Sequence, residues 1–566
     1  MTRFLYDYDV PGEIGRGGAN AETDHLFAYH HATKHTFDSV RANAHFLDWR
    51  NQPNPFRTYE GAPLVSLPPE PGFPEVGAFA TMAALAENPA LSGSGAPEPR
   101  KEITLDARWL SRFLWHSMAV SAWKKVPRTD NRYSLRVNPS SGNLHPTETC
   151  VITQGFAGVS DGYYHYRADR HALEVRGAGN WTEVIARSLD LPWAADAPLT
   201  VALTSIFWRE SWKYRDRAYR YCCHDLGHAT MSLLLAARAL GLRGGVVAHF
   251  SDLRLARTLG LTEDSDEAPM AFLIFPSPAQ IAHSKRDDAA PPQELAGVPN
   301  ELSTEEVPYH LLLDMHRSTM LSDPPGPLPQ PVEIDAAIAH ESQSLAPDSP
   351  LPAARDASLG PTVCRRRSAL DFDPDTVPME HADFLQLLDF ATRDWRADWR
   401  GNFAGPSPSL APGTDFVTLY LYVHRVRDCQ RGVYRWNSTS RTLEQLHRAD
   451  VERVAAYLSL EQSLAGNACF AVSMIADLAR AARVFGNRGY RYAFFEAGAI
   501  GQRLYVGAEA LGWNATGIGA FYDDDVHRYL GFLDETEKSP DPRTLPRQVI
   551  YHFAVGRAIF DPRIEA

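Results

Sequence analysis

Twelve residues from Val137 to Glu148, VNPSSGNLHPTE, gather two prolines, a glycine, two serines and two asparagines just ahead of TCVIT, a β-branched stretch with the composition of a strand. Prolines restrict the backbone, and Gly142 permits angles closed to other residues. Such a loop exposes amides and hydroxyls. Through Pro139, Ser140, Ser141, Asn143 and His145 it suits hydrogen bonding to a flat polar ligand or a polyol tail. The same composition also suits an ordinary turn before a strand. A second stretch, CRRRSALDF from Cys364 to Phe372, places Arg366, Arg367 and Ser368 side by side. Guanidinium forks bind phosphate oxygens in pairs, so this run suits a phosphate or polyol anchor. A solvated basic turn is the alternative.

The elements that would position these groups come in two copies. KYRDRAYRYCCHDLGHATMSLLLAARALGLRGGVVAHFSDLRLARTLGL, starting at Lys213, lies without a gap on VFGNRGYRYAFFEAGAIGQRLYVGAEALGWNATGIGAFYDDDVHRYLGF, starting at Val484. Tyr219 and Tyr490 are 271 residues apart, and so are Gly260 and Gly531. This points to an internal duplication. In each copy, small and apolar residues at helical spacing predict a long buried helix, with Gly241 at the position of a C-terminal cap in the first. TETCVITQGF with GYYHYRADRHALEVR, and VTLYLYVHRV with GVYRWNSTSRTLEQL, read as paired strands. MAFLIF and QVIYHFAVG read as late buried strands. Each half is therefore expected to be α+β, a sheet flanked by helices. Between them, residues 286–360 are rich in Pro, Asp, Ser and Ala, and read as a linker or surface arm. The expected division is 1–285, the arm 286–360, and 361–566. A shorter patch, Asn88 to Pro99, reads as a loop.

With 566 residues the chain exceeds one ordinary hydrophobic core. Apolar residues at 44% and charged residues at 22% are values of a soluble globular protein. A net charge of −13 argues against non-specific nucleic-acid binding. No apolar run has transmembrane length, and the N-terminal residues lack the apolar core of a signal peptide. Six cysteines without a CxxC pair argue against a disulfide scaffold and a zinc site, and a reducing cytoplasm is the expected compartment.

The segment Arg136 to Glu148 resembles the flavin-contacting loop of the nitroreductase superfamily, in particular the azoline-oxidising dehydrogenases of the SagB/ThcOx type. The duplicated Tyr-Arg-Tyr…Gly…Ala-Leu-Gly segment and YHHATKH, Tyr29 to His35, are similar to that group as well. Members commonly carry Arg-Arg-Ser followed by a further arginine. Arg366, Arg367 and Ser368 match, while Leu370 stands at the further position. The resemblance implies FMN as cofactor, held between two protomers, with Arg136, Pro139, Ser140, Ser141, Asn143, His145, Arg366, Arg367, Ser368 and Arg557 as contacts. It also implies a catalytic Lys213–Tyr214 pair, since a Lys-Tyr pair stands at that place in the azoline dehydrogenases. A lysine desolvated beside a flavin suits a base, and a tyrosine suits a proton relay.

The motifs are divided between the halves. The proline–serine loop is in the first and the arginine motif in the second. Their counterparts, PSPSLAPG from Pro406 to Gly413 and the region of ATKHTF, lack the corresponding groups. Lys213–Tyr214 aligns with Val484–Phe485. The expectation is two fused nitroreductase-like domains forming an intramolecular pseudo-dimer, possessing one well-furnished site and one degraded twin. Its expected partners are a small-molecule or modified-peptide substrate and components of a biosynthetic complex. Competing readings are an NAD(P)H-dependent nitro or quinone reductase, and an inactive flavin-binding protein. Cys222–Cys223 reads as buried helix, Asp225 and His228 as structural, and GEIGRGGAN lacks the strand that a dinucleotide fingerprint needs.

Overall fold

The structure is a computed structural model and describes residues 18–42, 46–69, 71–86, 103–261, 267–276, 294–328, 344–345, 355–401, 403, 416–534, 543 and 545–565. The expected loop at Asn88–Pro99, the PSPSLAPG stretch and most of GEIGRGGAN lie outside these residues.

Each half builds a seven-stranded antiparallel sheet. In the first, the order is Leu64–Ser66, Ala172–Ala178, Gly162–Arg167, Thr147–Thr153, Leu199–Ile206, Glu267–Phe275 and Gly245–Val247. In the second it is Ser344–Leu345, Thr442–Arg448, Gly432–Asn437, Val417–Val423, Phe470–Asp477, Arg547–Gly556 and Asn514–Ile518. The two orders are the same, as the duplication requires. Thr147–Thr153 is buried at every position, which explains its continuous β-branched composition without alternation. The strand pairs read from the sequence occur as read.

Between the sheets lie two 22-residue helices, Ala218–Ala239 and Gly489–Ala510, nearly every residue of which is buried. Gly241 follows the first with φ +87°, the left-handed backbone expected of a helix stop. The helices touch where the duplicated glycines meet. A Cβ on Gly227 would lie 2.2 Å from the Phe495 carbonyl oxygen, and one on Gly498 would lie 2.2 Å from that of His224. Neither backbone can retreat within a packed helix pair. Gly498→Leu is expected to cost at least about 1–3 kcal/mol, visible as a lower denaturant midpoint.

The duplication also exchanges charges. Asp523 of the second half holds Arg217 and Arg220 of the first at 3.2 and 3.0 Å. Asp252 of the first half holds Arg488 and Arg491 of the second at 2.7 and 2.9 Å. Each carboxylate also caps an incoming segment: the His35 amide donates to Asp523 and the Leu321 amide to Asp252, both at 2.9 Å. Arg220 and Arg491 donate to the Thr33 and Thr319 hydroxyls at 3.0 and 2.7 Å. The structural counterpart of the ATKHTF region is therefore His316–Leu321, not the arginine motif with which it was matched by position. The stretch read as linker or arm contains the helix His310–Ser318, which repeats Asp24–Ala32 and packs beside it. No helix among the described residues is long and apolar enough to cross a membrane.

Candidate active site at the junction of the halves

The Val137–Glu148 loop is strained and heavily fastened. Ser141–Asn143 forms a 3₁₀ turn, and Gly142, Asn143 and His145 have φ of 58°, 61° and 53°. Left-handed backbone at the two non-glycines costs about 1 kcal/mol or more each. Local bonds offset this. Asn143 donates to the Ser134 carbonyl at 2.9 Å, and its Oδ1 meets His145 Nε2 at 3.0 Å. The His145 amide donates to Ser140 Oγ at 2.8 Å, and buried Arg209 donates to the His145 carbonyl at 2.8 Å. From the central helix, Asp225 accepts both the Ser141 amide, at 3.0 Å, and the Ser141 hydroxyl, at 2.9 Å. Burial raises the Asp225 carboxyl to about 7, against the pull of the Ser140 and Ser141 bonds. Asp225 was read as structural, and anchoring the loop is a structural task. Burial also holds the His145 ring well below the usual histidine range, helped by Arg136 and Arg209.

Lys213 and Tyr214 end the helix Phe207–Tyr214, directly under this loop. A Cβ at Gly142 would lie 2.7 Å from Tyr214 Oη and 3.1 Å from Lys213 Nζ. Glycine is thus the residue that lets the loop approach the pair. Burial lowers the Lys213 pKa, opposed by Glu210, and raises that of Tyr214 well above the phenol range, with Glu210 adding to the rise.

The second half supplies the arginines. Arg366 is buried and donates to the Val137 and Arg136 carbonyls, each at 3.0 Å, while its guanidinium lies 4.9 Å from the Tyr505 ring centre. Arg367 donates to Ser121 of the first half at 3.0 Å. Ser368 Oγ meets Tyr505 Oη at 2.8 Å, and the Gly517 amide donates to that same phenol at 2.8 Å. Arg366 Nη1 and Arg367 Nε are buried with no hydrogen-bond partner. Two orphaned guanidinium nitrogens next to this loop fit a phosphate-bearing polar ligand such as FMN.

Two expected contacts sit differently. The Arg136 side chain donates to the Pro55 carbonyl at 2.6 Å and lies over Phe56, so its link to the loop region is its carbonyl, which receives Arg366. Arg557 is exposed and stacks over Trp513 at 5.0 Å, at the end of the strand Arg547–Gly556. Its described neighbours do not include the loop. Sequence reasoning passed over Glu210, which is fully buried on the Lys213 helix, and Tyr505, which stacks on Arg366. A carboxylate one helical turn before Lys213 was the available signal for Glu210.

The matching place in the second half carries different side chains. Trp399 stacks on Tyr492, the counterpart of Tyr221, with ring centres 4.9 Å apart and planes 5° apart. Trp395, Trp399 and Phe403 are buried. Glu496, the counterpart of Asp225, accepts the Phe416 amide at 3.0 Å and pairs with Arg400 at 3.4 Å. Glu210, Lys213 and Tyr214 are answered by Ala481, Val484 and Phe485. Among the described residues no cluster of His, Cys, Asp or Glu could hold a metal ion. His228 instead bonds Gln502 and Tyr551 across the halves, at 3.2 and 3.1 Å, and Cys222 and Cys223 are free and buried.

Comparison with known proteins agrees with this architecture. The model of the Nitroreductase family matches residues 105–275 and 363–538. MJ1384 of Methanocaldococcus jannaschii, a nitroreductase-type protein, is 26% identical over 180 residues, 32% of this chain and 87% of that protein. The trifolitoxin-processing protein TfxB of Rhizobium leguminosarum bv. trifolii is 34% identical over 148 residues, 24% of this chain and 38% of that one. The microcin B17-processing protein McbC of Escherichia coli is 30% identical over 147 residues, 25% of this chain and 53% of that one. A nitroreductase-type crystal structure from Anabaena variabilis has the same fold across 94% of this chain and 99% of its own, with TM-score 0.67 and 24% identity. Two family matches, one in each half, together with the paired sheets and exchanged ion pairs, place this chain in the nitroreductase family, as two tandem domains fused into an intramolecular pseudo-dimer.

Proposed function

We propose that this nitroreductase-family oxidoreductase is an FMN-dependent dehydrogenase acting on an azoline-type or related biosynthetic intermediate. The observation that carries the reading is the convergence, at the first-half loop, of Arg366 from the second half and Lys213–Tyr214 from the first. When bound, FMN would supply the hydride acceptor. Arg366 Nη1 and Arg367 Nε would take the phosphate, and the loop from Pro139 to Asn143 the polar edge and tail of the cofactor. Lys213 Nζ takes a proton from the substrate, favoured as a base by its partial burial. Tyr214 stays protonated at neutral pH, and its hydroxyl donates and orients beside that amine. The likeness to two peptide-processing proteins supports a modified-peptide substrate and partners in a biosynthetic complex, and a cytoplasmic setting accords with the free cysteines.

The protein as purified is expected to be yellow and to release about one FMN per chain on denaturation, because the loop motif and Lys213–Tyr214 stand in the first half, the arginine motif in the second, and the twin lacks their counterparts. Two equivalents of equal affinity would overturn the single-site reading. Rapid reduction by NADH or NADPH would favour a nitro or quinone reductase instead. Arg366→Ala with Arg367→Ala is expected to strip colour during purification, since charged hydrogen bonds contribute roughly 1.5–3 kcal/mol each. Lys34→Ala with His35→Ala should affect colour less; equal losses would show the anchor to be elsewhere.

A further inference from the structure

Glu210 is completely buried, and neither of its carboxyl oxygens closes a hydrogen bond. A buried carboxyl without partners is costly, which makes its surroundings informative. On its own helix it faces Lys213 and Tyr214. From the central helix it faces Asp225 and the Cys222 thiol, and from the loop the Ser140 hydroxyl, which lies near without the geometry of a full hydrogen bond. Lys213 is the single cation in this set. Burial first, and Asp225 second, push the Glu210 carboxyl well above the usual range, while Lys213 pulls it down. The twin provides an internal comparison. Where Lys213 and Tyr214 are replaced by Val484 and Phe485, Glu210 is replaced by Ala481, so the acid is absent together with the amine and the phenol. The helix Leu478–Phe485 keeps the same form without them.

We propose that Glu210 is the positioning residue for Lys213: the buried, unpartnered carboxyl one helical turn before the amine sets how readily that amine holds a proton, and so how readily it takes one from a bound ligand. In that step the bond from the ligand to its proton breaks and an N–H bond forms at Nζ. The bonding pair stays on the ligand, and no electron changes hands. Lys213 is only partly buried, so the ammonium returns its proton to water. The inference rests on Lys213 being the base of the site.

The test is competitive labelling of lysines by acetic anhydride in the full-length protein as isolated, followed by peptide mass spectrometry, with exposed Lys125 as reference. Glu210→Gln removes the carboxyl that favours the ammonium, so labelling of Lys213 at neutral pH is expected to rise several-fold against Lys125. Glu210→Asp should return it toward the wild-type value. Glu210→Leu, which fills the space without a polar group, should behave like Glu210→Gln. A purely structural role would lower stability in these variants and leave the labelling ratio unchanged, and that outcome overturns the proposal. Should the variants fold poorly, a wild-type Lys213 labelling profile across pH that overlies that of Lys125 overturns it equally. Labelling needs neither substrate nor turnover. A Glu210-dependent change in a protein that carries no FMN would remove the flavin reading and leave this pairing intact; FMN without the change would do the reverse.

Discussion

Lys213→Ala is expected to slow substrate oxidation by about 10²–10⁴-fold, the usual contribution of a positioned acid or base, while flavin content stays nearly unchanged. The loss should fall on kcat and not chiefly on KM, because the amine acts on the proton in flight and is not among the expected cofactor anchors. Tyr214→Phe should act in the same direction. It removes the hydroxyl nearest the Gly142 approach and keeps the ring that packs against Tyr221, with centres 4.5 Å apart. The twin helix supplies the control. Val484→Ala removes methyl groups at the matching position and should cost packing stability with little change in turnover. The measurement is steady-state oxidation with the true substrate, alongside absorbance of the bound flavin. Full turnover in Lys213→Ala would make the lysine structural and bring the reductase reading, which needs no base, to the front.

Asp523→Ala should destabilise the whole chain by about 3–5 kcal/mol, because it leaves Arg217 and Arg220 buried without their anion. Asp252→Ala should do the same to Arg488 and Arg491. Each change touches both halves, so denaturation followed by tryptophan fluorescence should show them failing together. A loss confined to one half would contradict the exchanged anchoring. The same pairs bear on pH. The Asp252 and Asp523 carboxyls are held below their usual range by the arginines that they face, although burial opposes this. A carboxylate depressed in the folded state stabilises above its unfolded pKa, and that contribution is lost as pH falls through the folded value. Several histidines at the junction of the halves add to the effect. His228 is lowered to about 3 and His35 to about 3, mainly by burial. An unfolded histidine binds its proton near pH 6.5. Between there and the folded value the unfolded state holds more protons, so stability falls as pH falls. The raised Asp225 and Glu210 carboxyls act in the opposite sense, but the lowered histidines and the paired aspartates outnumber them, so denaturant midpoints should decline below about pH 6.5, and a flat profile down to pH 4 would contradict this account.

Much of the architecture is written locally. The 271-residue offset, the small-residue helices and the strand pairs follow from patterns that a short window contains, because helix and strand periodicities act over a few residues. The loop Val137–Glu148 was legible for a similar reason, since prolines and glycine advertise an unusual backbone. Lys213–Tyr214 stood out once it was set beside Val484–Phe485. Other features depend on which distant groups the fold brings together. That Gly227 meets Gly498, and that Asp252 and Asp523 each serve arginines of the opposite half, depends on the helices crossing about a pseudo-twofold axis. The Arg136 side chain turns to Pro55, and Arg557 to Trp513, since a guanidinium takes whatever carbonyl or ring lies within reach. Position along the chain matched ATKHTF with the arginine motif, whereas Asp252 and Asp523 match it with His316–Leu321. Composition made residues 286–360 look like spacer throughout, yet His310–Ser318 is a helix whose partner, Asp24–Ala32, lies far away in sequence. Glu210 shows the limit most plainly. In sequence it is one acid among many; its isolation from hydrogen bonds beneath the loop arises only from packing, because burial and the absence of partners are properties of the assembled site.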